Sequence, residues 1–225
     1  MILLNAVYFK SNWKYKFNIE NTIKREFKNS NNEIVNVDTM FKEFETIMYY
    51  EDEKIKMIEL PYQDENLSMI IILPSEKYSS VIDYINKEKE DYSKLYNKLN
   101  ETKNVRLYLP KFEIEFYASL VESFKNMGMK LAFTTEGNFD KLLKNKKLNH
   151  DLYIEDILHK TYVKVDEEGT EAAAATAIIV SKRCMKIYID MIVDHSFIYM
   201  IRDKRIKDIN GNEMMLFIGI INNLK

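Results

Sequence analysis

The stretch KVDEEGTEAAAATAIIVSKRCM, Lys164 to Met185, decides how this chain is read, because it joins a run of very small residues to a basic tripeptide. In an extended chain Thr170, Ala172, Ala174 and Thr176 fall on one side, and Glu171, Ala173, Ala175 and Ala177 fall on the other. Neither side carries bulk, so such a segment can enter a gap in a sheet without needing large pockets. Propensity points the other way: Ala172 to Ala175 are strong helix formers, and Glu167 and Glu168 stand where a helix N-terminus favours negative charge. Gly169 interrupts that start, while Thr176, Ile178, Ile179 and Val180 are β-branched and suit a strand. The segment is able to be helix or strand, and that ambiguity is the functional clue.

Working outward, Ile2 to Phe9 is a nearly continuous apolar run, the pattern of a strand buried on both faces and placed centrally in a sheet. Directly after Met1 there is neither a basic region nor a small-residue cleavage site, so the start reads as a strand and not a signal peptide. Residues 14–57 alternate charged and apolar positions and predict antiparallel strands, with a turn at Glu51 to Lys54. The run LSMIIILP, Leu67 to Pro74, predicts a buried strand ending at the proline. Residues 75–100 predict a helix with Val81, Ile82 and Ile85 on one face. Val105 to Phe116 reads as one strand with LPKF at its centre, and Ala118 to Met129 as an amphipathic helix stopped near Gly128. Leu152 to Val165 leads through His159 into the opening stretch, and Ser196 to Leu224 forms two apolar strands around a polar turn at Asn210 to Asn212.

Composition bounds the answer. A chain of 225 residues that is 46% hydrophobic and 12% aromatic has enough apolar surface for a sizeable core. Its 33 basic and 35 acidic residues are well mixed and leave a net charge of −2, so neither a nucleic acid nor a membrane surface is expected as a partner. The single cysteine, Cys184, excludes an internal disulfide framework and a cysteine metal site. The three histidines, His150, His159 and His195, sit in no nucleophile motif, so no catalytic residue, metal site or cofactor is expected. Heavy use of Lys, Asn, Ile and Tyr suggests an AT-rich genome, which fits some large DNA viruses, poxvirus-like ones included.

The run EEGTEAAAAT from Glu167 to Thr176, followed by DHSFIYMIR (Asp194 to Arg202) and LFIG (Leu216 to Gly219), resembles the hinge and C-terminal signature of the serpin family. NAVYFKSNW (Asn5 to Trp13), ELPY (Glu59 to Tyr62), LPKFEIE (Leu109 to Glu115) and LHKTYVKVDEEGT (Leu158 to Thr170) agree with it in family order. The resemblance covers nearly the whole chain. It implies an α+β, multi-sheet serpin-like fold over residues 1–225 that corresponds to the C-terminal portion of the family domain and lacks its N-terminal helical part. It also implies a mobile reactive-centre loop at about residues 167–190.

The same resemblance assigns roles. The hinge is Glu168, Gly169, Thr170, Glu171, Ala172, Ala173, Ala174, Ala175 and Thr176. The gate of the slot that receives it is Asn5, His159 and Trp13, with Asn5 and His159 hydrogen-bonded to each other. Counting from Gly169 as the fifteenth residue before the scissile bond ends at Arg183, so the reactive bond is Arg183–Cys184. An arginine fork fits a deep pocket with a buried carboxylate, which implies trypsin-like, Arg-specific serine proteases as partners. The expected protein is not an enzyme but a monomeric suicide-substrate inhibitor, extracellular by the resemblance, with an intracellular location left open because the start reads as a strand and not a signal peptide. The competing expectation is a non-inhibitory or decayed serpin fragment that acts as a binding protein.

Overall fold

The computed structural model describes residues 1–142, 152–170 and 187–225. These divide into two compact units, one of Met1–Phe9 with Glu113–Val163 and one of Lys10–Phe112 with Lys164–Lys225. Among the described residues no helix is long and apolar enough to cross a membrane.

The larger unit is built on an eight-stranded sheet. Its strands are β3 (Ile23–Lys28), β4 (Ile34–Glu51), β5 (Ile55–Pro61), β6 (Leu67–Pro74), β7 (Asn100–Pro110), β11 (Ile189–Ile192), β12 (Phe197–Lys207) and β13 (Glu213–Ile221), in the order β11-β7-β4-β5-β6-β12-β13 with β3 also on β4. β6 is its centre. Antiparallel neighbours flank it, with Ile70 opposite Glu59 on β5 and Met200 on β12, and every residue from Ser68 to Pro74 is buried.

One face of β5, β6 and β12 packs Met57, Ile70, Ile72, Ile198 and Met200 against helix α1 (Val81–Glu88) and the short helix α2 (Tyr92–Leu95). On the other face Phe197 meets Phe27 and Phe112 edge-on, with centroids 6.4 and 5.6 Å apart. From β12 Arg202 reaches across β6 to Glu59 of β5 at 2.9 Å and to Glu213 of β13 at 2.5 Å. Burial pushes the Glu59 carboxyl up, but Arg202 and Lys204 outweigh it and hold Glu59 below the usual glutamate value. The Glu59 of the ELPY motif and the Arg202 of DHSFIYMIR are therefore partners in one buried ion pair.

The helical expectation for residues 75–100 resolves into α1, α2 and a single 3-10 turn, Tyr96–Lys98. Ser80 caps α1 by accepting from the Asp83 N–H at 3.0 Å, and Lys89, at φ 47°, ends it in a left-handed conformation. Val81 and Tyr84 face the core, whereas Ile82 is 49% exposed. At about 100° per residue Ile82 stands about 100° from Val81 and about 160° from Tyr84, so it falls outside the face those two bury.

The smaller unit holds a three-stranded sheet in the order β1-β9-β8, with β1 at Ile2–Tyr8, β8 at Phe112–Ser119 and β9 at Asp156–Val165. β1 and β9 run parallel with Leu4 opposite Leu158 and Asn5 opposite His159. The expectation of a central, doubly buried β1 is corrected: among the described residues it pairs with β9 alone, and Leu4 is 78% exposed. Its apolar run lacks the second neighbour and the covering layer that β6 has.

The single strand expected at Val105 to Phe116 is two, β7 and β8, which break at Lys111 inside LPKF. Pro110 has no N–H to extend the ladder, and the Lys111 N–H turns to the Asp38 carbonyl at 2.8 Å. The helix expected at Ala118 to Met129 is only α3, Val121–Asn126; it buries no residue, and Gly128 follows it at φ 101°.

Candidate functional site

The base of the expected hinge is a tight turn, Asp166 to Thr170, held by residues 11–22 and by Lys111. Strand β10 (Gly169–Thr170) pairs antiparallel with β2 (Ser11–Asn12), Gly169 opposite Asn12 and Thr170 opposite Ser11. The Trp13 N–H donates to the Glu168 carbonyl at 2.9 Å, and its indole N–H to the Asp166 carbonyl at 2.9 Å. Trp13 is buried and stacks on Tyr62, with centroids 4.6 Å apart and 9° between planes. Trp13 thus holds two carbonyls of the turn, one through its main-chain N–H and one through its indole.

Charge completes the clamp. The Glu167 carboxylate accepts from Thr22 Oγ1 at 2.7 Å and pairs with Lys111 Nζ at 3.0 Å, and its carbonyl accepts from the Phe17 N–H at 2.9 Å. Burial pushes its carboxyl up, but Thr22 and Lys111 together hold it below the ordinary glutamate value. Glu168 pairs with Lys16 beside it. Gly169 sits at φ 149°, where a side chain is strained, and an added Cβ would lie 2.2 Å from the Ser11 carbonyl oxygen. Only glycine fits where the hinge strand meets β2.

In the smaller unit Asn5 Nδ2 lies 3.0 Å from His159 Nδ1, joining the two residues that face each other across β1 and β9. The Phe116 ring stands edge-on to His159 with centroids 6.4 Å apart, and Tyr8 stacks on Tyr162 at 6.1 Å. The structure therefore brings Asn5 to His159, while Trp13 belongs to the clamp in the larger unit.

Of the hinge residues, Glu168, Gly169 and Thr170 are described; Glu171, Ala172, Ala173, Ala174, Ala175 and Thr176 lie outside the described residues, as do His150, Arg183 and Cys184. At the two ends of the expected loop of about 167–190, Gly169–Thr170 and Ile189–Asp190 are paired strand. Among the described residues no three His, Cys, Asp or Glu side chains stand together to hold a metal ion.

Sequence reasoning missed Lys16, Thr22, Lys111 and the role of Glu167. The lysine of LPKF and the first acid of EEGT were both visible, but they are 56 residues apart and only the fold brings them together.

Comparison with known proteins places the chain. The sequence model of the family described as "Serpin (serine protease inhibitor)" matches residues 1–224. A serpin-like protein of Methanosarcina mazei is 35% identical over 97% of this chain and 49% of its own length. The leukocyte elastase inhibitor of Xenopus laevis is 36% identical, over 97% and 56%. A serpin-like protein of Acanthamoeba polyphaga mimivirus is 36% identical, over 89% and 50%. Among solved structures, Serpin48 from the insect Tenebrio molitor superposes with a TM-score of 0.81 at 33% identity, covering 100% of this chain and 56% of that one. The native state of the thermophilic serpin Tengpin gives 0.82 at 27% identity, over 99% and 55%. The chain spans about half the length of the relatives it matches. The family model, the sequence relatives and the shared fold agree, and the chain belongs to the serpin family.

Proposed function

We propose that this chain carries the hinge and reactive bond of a serpin-type inhibitor of trypsin-like serine proteases. The observation that carries the reading is the pair of parallel neighbours β1 and β9 joined by Asn5 and His159, with β9 running directly into the clamped hinge. A protease serine attacks the Arg183 carbonyl; the bond to the Cys184 nitrogen breaks, a proton passes to the leaving amine, and Arg183 is held as an ester on the protease. The released hinge then enters antiparallel between β1 and β9. One ladder is exchanged for two, and each added backbone hydrogen bond contributes about 1 kcal/mol net. The small inward set from Thr170 to Val180 asks for no large pocket. Extracellular action, a monomeric state and a source among large DNA viruses belong to the same reading.

A second reading, a binding protein without protease trapping, is favoured by one observation: β1 offers an unpaired edge and exposed apolar faces among the described residues. Incubation with trypsin separates the two. N-terminal sequencing of the released fragment is expected to begin at Cys184, and a start at Met185 or within Ile178 to Ser181 overturns the register. A detergent-resistant complex, with a higher thermal midpoint after cleavage, marks the inhibitor; clean cleavage with neither marks the binding protein. In the inhibitor Thr170→Arg keeps the cut but abolishes the complex, because a long charge would have to be buried for insertion to begin.

A further inference from the structure

His195 stands apart from the hinge, where three segments of the larger unit meet. Its Nδ1 lies 2.7 Å from Asp194 Oδ1, and its Nε2 lies 2.8 Å from the Pro74 carbonyl oxygen at the end of β6. A carbonyl only accepts, and so does a carboxylate. A neutral imidazole has one N–H and one lone pair and makes one of these bonds; the imidazolium makes both. The Lys28 N–H at the end of β3 donates to the Asp194 carbonyl at 2.7 Å, so β3, β6 and the link from β11 to β12 converge on this residue pair.

We infer that His195 is held as an imidazolium and works as a pH-operated latch on the segment that leads from β11 into β12. The segment buries Met191 and Val193, but its backbone pairing is limited. β11 is a strand of four residues that, among the described residues, pairs in parallel with β7 alone, and the ladder continues through the Val193 N–H to the Tyr108 carbonyl at 2.9 Å. Parallel pairing is the weaker kind, and a short edge strand is the first to open.

The surroundings favour the cation. Asp194 and Glu76, from the turn after β6, act on the ring, and Glu26 and Lys28 from β3 line the cleft beside it. Ser79, Ser80 and Val81 at the start of α1 bring no ionisable group, and the Tyr78 hydroxyl is engaged with Glu88 at 2.5 Å. Three carboxylates and one ammonium thus line the cleft. Burial pulls the imidazole down, but the Asp194 carboxylate and the Pro74 carbonyl outweigh it and leave His195 above its ordinary value of 6.5. A cleft of about 230 Å³ opens beside the ring and gives solvent protons access. Because the folded-state value is raised, the stabilisation is fully present below about pH 6.5 and is lost as pH rises through the folded value.

The test is hydrogen–deuterium exchange of the full 225-residue chain at about pH 6 and about pH 8.5, corrected for intrinsic exchange, with the β4–β5 hairpin as internal reference. Protection of residues 187–196 is expected to fall by roughly two- to tenfold at the higher pH, the equivalent of one net hydrogen bond. In His195→Gln the same peptide is expected to show no such pH dependence. An equal dependence in the variant, or none in the parent, overturns the latch. Should the variant fail to fold, nitrogen NMR of labelled histidine in the unmodified chain decides: both ring nitrogens protonated at about pH 6.5 supports the latch, and a neutral tautomer there overturns it.

Discussion

Strands β1 and β6 are written alike and end up unlike. ILLNAVY and LSMIIILP are both nearly unbroken apolar runs, yet β6 is buried from Ser68 to Pro74 while β1 leaves Ile2 54%, Leu4 78% and Tyr8 54% exposed. The difference lies in their neighbours. β6 has β5 and β12 in its own ladder and α1 and α2 over one face, all from the larger unit. β1 has β9 on one edge. An apolar run states that cover is required; only the fold shows whether these residues provide it.

The sharpest way to break this comparison is at the centre of β6. Ile70 is fully buried between β5 and β12, so Ile70→Ala removes apolar contact and leaves a cavity that neighbouring strands cannot close. A loss of about 2–5 kcal/mol is expected in denaturant unfolding of the chain. A loss under about 1 kcal/mol would mean that the packing around β6 is loose and that its burial carries little of the stability.

Much of this contrast was legible and some of it was not. The boundaries of β6, the turn at Glu51 to Lys54 and the β12–β13 hairpin follow from local signals: a proline stop, a charged turn, and apolar runs about a polar reversal. The pairing of Asn5 with His159 came from the resemblance and not from local pattern. The break of β7 from β8 at Lys111 was hidden because LPKF is apolar on both sides of the bend, and period alone cannot show that a chain leaves one sheet for another. The hinge clamp was hidden for another reason. Glu167 finds Lys111 and Thr22 at separations of 56 and 145 residues, and charge pairs of that kind have no local signature.

That clamp is the intermediate case, a region held by charge and hydrogen bonds where β6 is held by apolar packing. Glu167→Gln keeps an acceptor for Thr22 but removes the charge opposite Lys111. A charge-assisted hydrogen bond exceeds a neutral one, and Lys111, still partly exposed, recovers some hydration. The expected cost is about 1–2 kcal/mol, read as faster amide exchange of residues 166–170 with β6 unchanged. Equal loosening of β6 would show that the clamp and the core unfold together and would dissolve the distinction between them.

The smallest effect is expected on β1. Leu4 projects into solvent at 78% exposure, and its backbone pairing with Leu158 does not depend on its side chain. Replacing it with lysine removes no buried contact, buries no charge and keeps the chain in strand, so Leu4→Lys is expected to change stability by no more than about 0.5 kcal/mol. Because one edge of β1 is unpaired among the described residues, the added charge opposes edge-to-edge association, and the variant is expected to stay monomeric at concentrations at least as high as the parent. Both quantities come from one series of unfolding and sedimentation measurements across protein concentration. A cost of about 2 kcal/mol or more, growing with concentration, would show that β1 is covered in solution by a second copy of the chain. The two apolar strands would then share one fate, with the cover of β1 supplied from outside the chain.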